Sequence, residues 1–149
     1  MQDRGPARNT PDDPVIHATT IAFGTRAVVI LGPSASGKSS LGLMLMALGG
    51  QLVADDRTLL RSRGGMLIAS APPDLPPLIE ARGIGLLRAD LCTEARVVLA
   101  VDLGQTETLR LPPRRKLTFG SVAVDVVHGP ATPHFPAAIR QYIMSGREV

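Results

Sequence analysis

The sequence predicts a single α/β domain with a mixed, mostly central β-sheet and flanking helices, and three features predict it. Residues 27–31 (Ala-Val-Val-Ile-Leu) form a continuous apolar run of the kind buried on both faces of a sheet. A glycine-rich turn then leads straight into a helix-forming segment, 38–48, which closes at Gly49-Gly50. Short β-branched segments separated by Gly, Pro and Asp occupy most of the remainder. The length of 149 residues suits one domain.

The elements follow in order. Residues 1–14 are polar and rich in Pro, Asp and Arg, and read as a disordered tail, leaving 15–149 as the domain. Residues 15–23 read as a strand ending in a tight turn at Gly24, and the buried strand 27–31 follows. Gln51–Ala54 is a short strand, and 58–60 with Met66–Ser70 flank Gly64-Gly65 as a hairpin. The Pro-rich stretch 71–77 is a surface loop. Residues 97–103 form another buried strand, with 109–111 and 121–127 as further strands. Thr132-Pro133 caps a last helix over 133–144, stopped by Gly146.

Composition excludes several classes. One cysteine, Cys92, permits no intrachain disulfide framework. No apolar run approaches the ~18 residues of a membrane span, and no signal-peptide core is present, so a cytoplasmic protein without a membrane role is expected. Sixteen basic residues against thirteen acidic ones give a net charge of +3. The arginines are scattered and only 3% of residues are aromatic, so nucleic acid is not the expected partner.

Gly32-Pro33-Ser34-Ala35-Ser36-Gly37-Lys38-Ser39 satisfies G-x-x-x-x-G-K-[ST] at every fixed position. The two glycines let backbone N–H groups turn inward on phosphate oxygens, and the following helix adds its positive end. Lys38 can reach the β- and γ-phosphates, the Ser39 hydroxyl can ligate Mg²⁺, and Ser40 completes the binding segment. The strand Gln51–Ala54 ends in Asp55-Asp56, where an open α/β sheet places its ligands. In extended chain only one of the two acids faces the site. Downstream, Glu80 and Arg82 share a side if the segment is extended, and Gly83 and Gly85 allow close backbone approach. The basic stretch Arg110, Arg114, Arg115 and Lys116 offers a docking surface or a solvated loop.

Together these residues resemble the catalytic domain of HPr kinase/phosphorylase, the bacterial family that phosphorylates a serine of the phosphocarrier HPr. The resemblance runs over roughly 15–103. It rests on His17, the phosphate loop, Leu52-Val53-Ala54-Asp55-Asp56, and Ile79-Glu80-Ala81-Arg82-Gly83-Ile84-Gly85. It implies a P-loop kinase-like fold of the PEP carboxykinase-like variant, ATP and Mg²⁺ as cofactors, an HPr-like carrier as substrate, and a homo-oligomer, the family's hexamer. It further implies Asp56 as general base, Lys38 as stabiliser of the transferred phosphoryl, Ser39 and Glu80 as Mg²⁺ holders, and His17 as an active-site histidine. Asp55 would orient the site or contact phosphate. A catalytic arginine is expected after the strand following Glu80: Arg110, with Arg114 or Arg115 as the alternative. The chain resembles the short alphaproteobacterial form, with no room for the additional N-terminal domain. Pro112-Pro113-Arg114-Arg115-Lys116 stands where the family has a loop linked to dephosphorylation, so kinase activity is expected before phosphorylase activity. A small-molecule P-loop kinase and a non-catalytic ATP-binding regulator are the two competing classes.

Overall fold

The structure, a computed structural model, describes residues 14–149. The tail assigned to 1–14 lies outside those residues except for Pro14, whose carbonyl accepts the Leu60 N–H at 3.0 Å. In chain order the elements are β1 (Val15–Ile16), β2 (Thr19–Phe23), β3 (Arg26–Leu31), α1 (Lys38–Ala47), β4 (Gln51–Ala54), β5 (Thr58–Arg63) and β6 (Met66–Ser70). They continue with β7 (Leu78–Ala81), β8 (Gly85–Arg88), β9 (Glu94–Thr106), β10 (Arg115–Phe119), β11 (Val122–Gly129) and α2 (Phe135–Ser145).

Three parallel strands carry the centre. β9 runs parallel to β3 along one edge and to β11 along the other, while antiparallel partners complete the sheet in the order β1-β5-β6-β9-β3-β2-β4. β9 is long enough to hold β6 over Glu94, Ala95 and Arg96 and β11 from Leu99 onward. Its sequence is apolar on both faces, as a central parallel strand must be. On one face α1 and α2 cover Ile21, Ile30, Leu99 and Val101, with Leu41, Leu45, Ile139 and Ile143 pointing in from the helices. The other face is filled from strands alone, by Ala22, Val29, Val53, Leu67, Ala100 and Val124 among others. Fully burying such aliphatic side chains contributes roughly 1.5–3 kcal/mol each. Gly42 sets the fit of α1 on the sheet, because a Cβ there would lie 2.9 Å from Thr19 Cγ2.

The mixed sheet with flanking helices is the fold expected from the sequence, and several boundaries are corrected. The strand expected over 15–23 is two strands, because the chain bends at His17 and Ala18, and the Ala18 N–H goes to the Asp56 carbonyl. The strand expected at 109–111 is an exposed bend, and the strand lies later, at β10. Pro112 and Pro113 lack the N–H groups a ladder needs, so pairing begins only at Arg115. The segment around Glu80 is not extended throughout: β7 ends at Ala81, and Arg82 sits in the turn to β8. The last helix starts at Phe135 with His134 as its N-cap, two residues past the expected start. The Thr132 hydroxyl meets His134 Nδ1 at 3.1 Å instead of capping the helix.

Asp125 of β11 ties the C-terminal helix to the sheet. Its carboxylate accepts the Tyr142 hydroxyl and pairs with Lys116 at 2.6 Å. Burial pushes the Asp125 carboxyl up, but the bonds from Lys116 and Tyr142 and the nearby positive charges outweigh it, leaving it below its ordinary value. Burial, reinforced by Asp125, pushes the Tyr142 phenol up to about 12. The raised phenol contributes stability below the unfolded value of 10.0, lost as pH rises through about 12. The depressed carboxyl contributes above its unfolded value, and that contribution is lost as pH falls through the folded one. Tyr142→Phe is therefore expected to lower unfolding free energy by about 1 kcal/mol at neutral pH, where a hydrogen bond is lost. Urea titrations at neutral and acidic pH check this, and the difference shrinks as Asp125 protonates.

Candidate functional site

The phosphate loop takes up the six residues between β3 and α1 and the first two residues of the helix, and its glycines are needed for two different reasons. Gly37, the helix N-cap, has φ +97°, a left-handed conformation that glycine takes without strain. Gly32 combines φ +150° with crowding: a Cβ would lie 2.6 Å from Ser36 Oγ and 3.2 Å from Leu103 Cβ. The loop thus packs tightly against the end of β9. Helix α1 starts at once after Gly37, so the N–H groups of Lys38, Ser39 and Ser40 have no intrahelical acceptor and form a ready anion site. Lys38 Nζ is held by the loop itself, donating to the Gly32 carbonyl at 2.8 Å and the Pro33 carbonyl at 3.1 Å.

Asp55 and Asp56 diverge because the chain turns between them. The Arg57 N–H closes on the Asp55 carbonyl at 2.8 Å, leaving Asp56 at the centre of a three-residue turn with φ +70°. A non-glycine residue in that region is strained, and such strain gathers at functional sites. Asp55 points inward and is 8% exposed. Its Oδ1 accepts the Thr19 hydroxyl at 2.7 Å and the Ser39 hydroxyl at 2.8 Å, and its Oδ2 accepts the Glu80 N–H at 3.1 Å. One buried carboxylate therefore joins β2, the phosphate loop and β7, with each donor satisfied. Asp56 is exposed and faces the cleft instead.

That cleft, about 210 Å³, is lined by Thr19, Ser34, Ala35, Gly37, Lys38, Ser39, Ser40, Asp56, Glu80 and Arg82. Most of the residues singled out in the sequence meet here. Gly32, Pro33 and Ser36 build the loop without lining the cleft, and Ser36 Oγ is buried without a hydrogen-bond partner among the described residues. His17 is exposed at the bend before β2 and is not in the lining; its neighbour Ala18 binds the Asp56 carbonyl. None of the three candidate arginines lines the cleft. Arg110 is exposed in the bend, Arg114 pairs with Asp125 and the Arg147 carbonyl, and Arg115 is held by Glu107. Arg82 is the arginine that the structure brings to the cleft.

Thr19 is the residue that sequence reasoning missed. It sits in an apolar strand 36 residues before Asp55, and it is fully buried. No local pattern signals it; only the pairing of β2 with β4 does. Thr19→Val keeps the shape but removes a donor to Asp55. The expected result is a loss of about 1–3 kcal/mol in unfolding free energy, checked by urea titration, with Thr19→Ser restoring it.

The donor set suits a hard divalent cation. Of the cleft residues, Ser39, Asp56 and Glu80 offer only oxygen, and Mg²⁺ commonly takes one or two carboxylates beside substrate phosphates and waters. Among the described residues no group of three or more His, Cys, Asp or Glu is spaced to hold a metal by itself.

A strand, a glycine loop folded onto a helix N-terminus, and an acid at the end of the next strand define a P-loop kinase-like domain. The family follows from comparison: the HPr Serine kinase C-terminal domain matches residues 11–99, more than half of the chain, and the chain belongs to that family. HPr kinase/phosphorylase 1 of Oceanobacillus iheyensis is 30% identical over 123 residues, covering 77% of this chain and 40% of that protein. HPr kinase/phosphorylase of Brevibacillus brevis is 37% identical over 81 residues, covering 54% of this chain and 26% of that protein. The chain thus spans 40% or less of the length of these relatives. Among solved structures, the Hpr(Ser) kinase/phosphatase from Coxiella burnetii superposes with a TM-score of 0.75 at 26% identity. The match covers 89% of this chain and 95% of that one.

Proposed function

We propose that this chain is an ATP- and Mg²⁺-dependent protein-serine kinase whose acceptor is an HPr-like phosphocarrier. The observation that carries this reading is that Asp56 and Lys38 line one cleft together with Ser39 and Ser40, whose N–H groups open the first turn of α1. The loop N–H groups and Lys38 bind the triphosphate, with Nζ exchanging the Gly32 and Pro33 carbonyls for phosphate oxygens. Ser39 and Glu80 would hold Mg²⁺, which supplies charge neutralisation on the phosphate oxygens when bound. The acceptor serine oxygen forms a bond to the γ-phosphorus as the bond to the β–γ bridging oxygen breaks. Asp56 takes the serine proton, and ADP leaves with the bridging electron pair. Lys38 stabilises charge on the phosphoryl in flight. Catalytic parts for His17 and Arg110 and assembly as a hexamer in the cytoplasm remain expectations from the family resemblance, which places kinase activity ahead of reverse phosphorolysis in this chain.

No helix of the described residues is long and apolar enough to cross a membrane. The deciding experiment transfers label from γ-labelled ATP to a purified HPr-like carrier from the same genome, with the acceptor residue mapped by mass spectrometry. Label on a carrier serine supports the proposal. A carrier that stays unlabelled while a small metabolite is phosphorylated moves the chain to the small-molecule kinases.

A further inference from the structure

We propose that the outer face of the β7–β8 hairpin is the docking surface for the acceptor protein, which meets it with an apolar patch rimmed by acidic groups. The proposal rests on the kinase reading above and adds where the partner lands. The hairpin is a separate two-stranded sheet whose inner face is buried: Ile79 is 0% exposed and Ala81 6%. Its outer face carries Leu86, 67% exposed, and its turn carries Ile84, 77% exposed, both large apolar side chains with no cover among the described residues.

Register ties that apolar face to the chemistry. Leu86 pairs directly with Glu80, so the two side chains stand on one face with Cβ atoms roughly 5 Å apart. Glu80 lines the phosphate cleft beside Asp56. A serine delivered to Asp56 must therefore bring the surface around it over Leu86 and Ile84. The hairpin holds its place through the Glu80 N–H bond to Asp55, so a partner pressing on it meets a fixed element.

Charge narrows the partner. Arg88 follows Leu86 by two residues on the same outer face, and Arg82 stands at the turn on the cleft's rim. Neither has a hydrogen-bond or ion-pair partner among the described residues, and both are exposed. Two open guanidinium groups flanking two apolar side chains fit a protein surface with a serine, apolar neighbours and carboxylates at its edge. A small metabolite would leave Leu86 and Ile84 uncovered.

The test measures transfer from labelled ATP against carrier concentration for the wild type, Ile84→Ser/Leu86→Ser and Arg88→Glu. ATP KM and sedimenting mass are recorded alongside. The double variant is expected to raise the carrier KM about tenfold or more, as loss of central apolar contacts does. Arg88→Glu raises it most at low salt, because a rim charge acts through screened steering. ATP KM and mass stay unchanged. A carrier KM unaffected by the double variant overturns the docking proposal and leaves the kinase reading intact. A fall in mass of the double variant assigns the face to contacts between copies of this chain and overturns it too. Absence of transfer by the wild type overturns the kinase reading, and the docking surface with it.

Discussion

Asp56→Asn is expected to lower kcat for the proposed phosphoryl transfer by about 10²–10⁴-fold, the range that a positioned general base contributes. The substitution keeps size and shape and removes the capacity to accept the serine proton. It is also a mild change for the backbone. Position 56 has φ +70°, and asparagine is among the few residues that visit the left-handed region readily. The Asp56 contacts given by the structure are made by its backbone, whose carbonyl accepts the Ala18 N–H at 3.1 Å. Asparagine preserves that bond. Fold, thermal midpoint and nucleotide affinity therefore stay close to wild type while turnover collapses. Single-turnover transfer assays with nucleotide binding measured in parallel check this. Retained turnover removes Asp56 from the role of base, and equal loss of binding places its effect on the nucleotide instead.

How far the site could be read from the sequence depends on whether the information was local. The phosphate loop was legible because every group it needs lies within eight consecutive residues, and the strand 27–31 before it and helix after it are strongly patterned. The Asp pair was legible as a pair. The expectation that one acid faces the site assumed extended chain, whereas a turn at Asp56 sends one acid inward to a hydrogen-bond node and the other to the cleft. Thr19 was not legible, since its role exists only once β2 lies beside β4. Arg82 is visible beside Glu80, but no local pattern shows that it reaches the cleft while Arg114 and Arg115, further along the chain, are engaged in pairs of their own. β8 and β10 were hidden by the glycines and prolines that flank them, because local punctuation marks a turn without showing what pairs across it.

Asp55→Asn is expected to behave differently from its neighbour, losing stability and activity together. The Asp55 carboxylate receives three donors, two on Oδ1 and one on Oδ2. An asparagine has one acceptor oxygen for these three donors, so at least one donor loses its acceptor in either orientation. With the oxygen toward Thr19 and Ser39, the Glu80 N–H is left opposed by NH₂; in the flipped orientation the NH₂ donates to the two hydroxyls, whose own protons lose their acceptor. A buried donor without an acceptor costs about 1–3 kcal/mol, so the thermal midpoint falls measurably. Activity falls as well, because the same carboxylate fixes the Ser39 hydroxyl and the backbone that carries Glu80, the two residues proposed to hold Mg²⁺. Calorimetric unfolding and Mg²⁺-dependent transfer assays on Asp55→Asn and Asp56→Asn separate the two acids. A stability loss confined to Asp55→Asn, with turnover lost in both, assigns the inward acid to assembly of the site and the outward one to the proton. If Asp55→Asn unfolds like wild type, the three-donor node contributes little to stability, and the coupling of the phosphate loop to the β7–β8 hairpin through it is wrong.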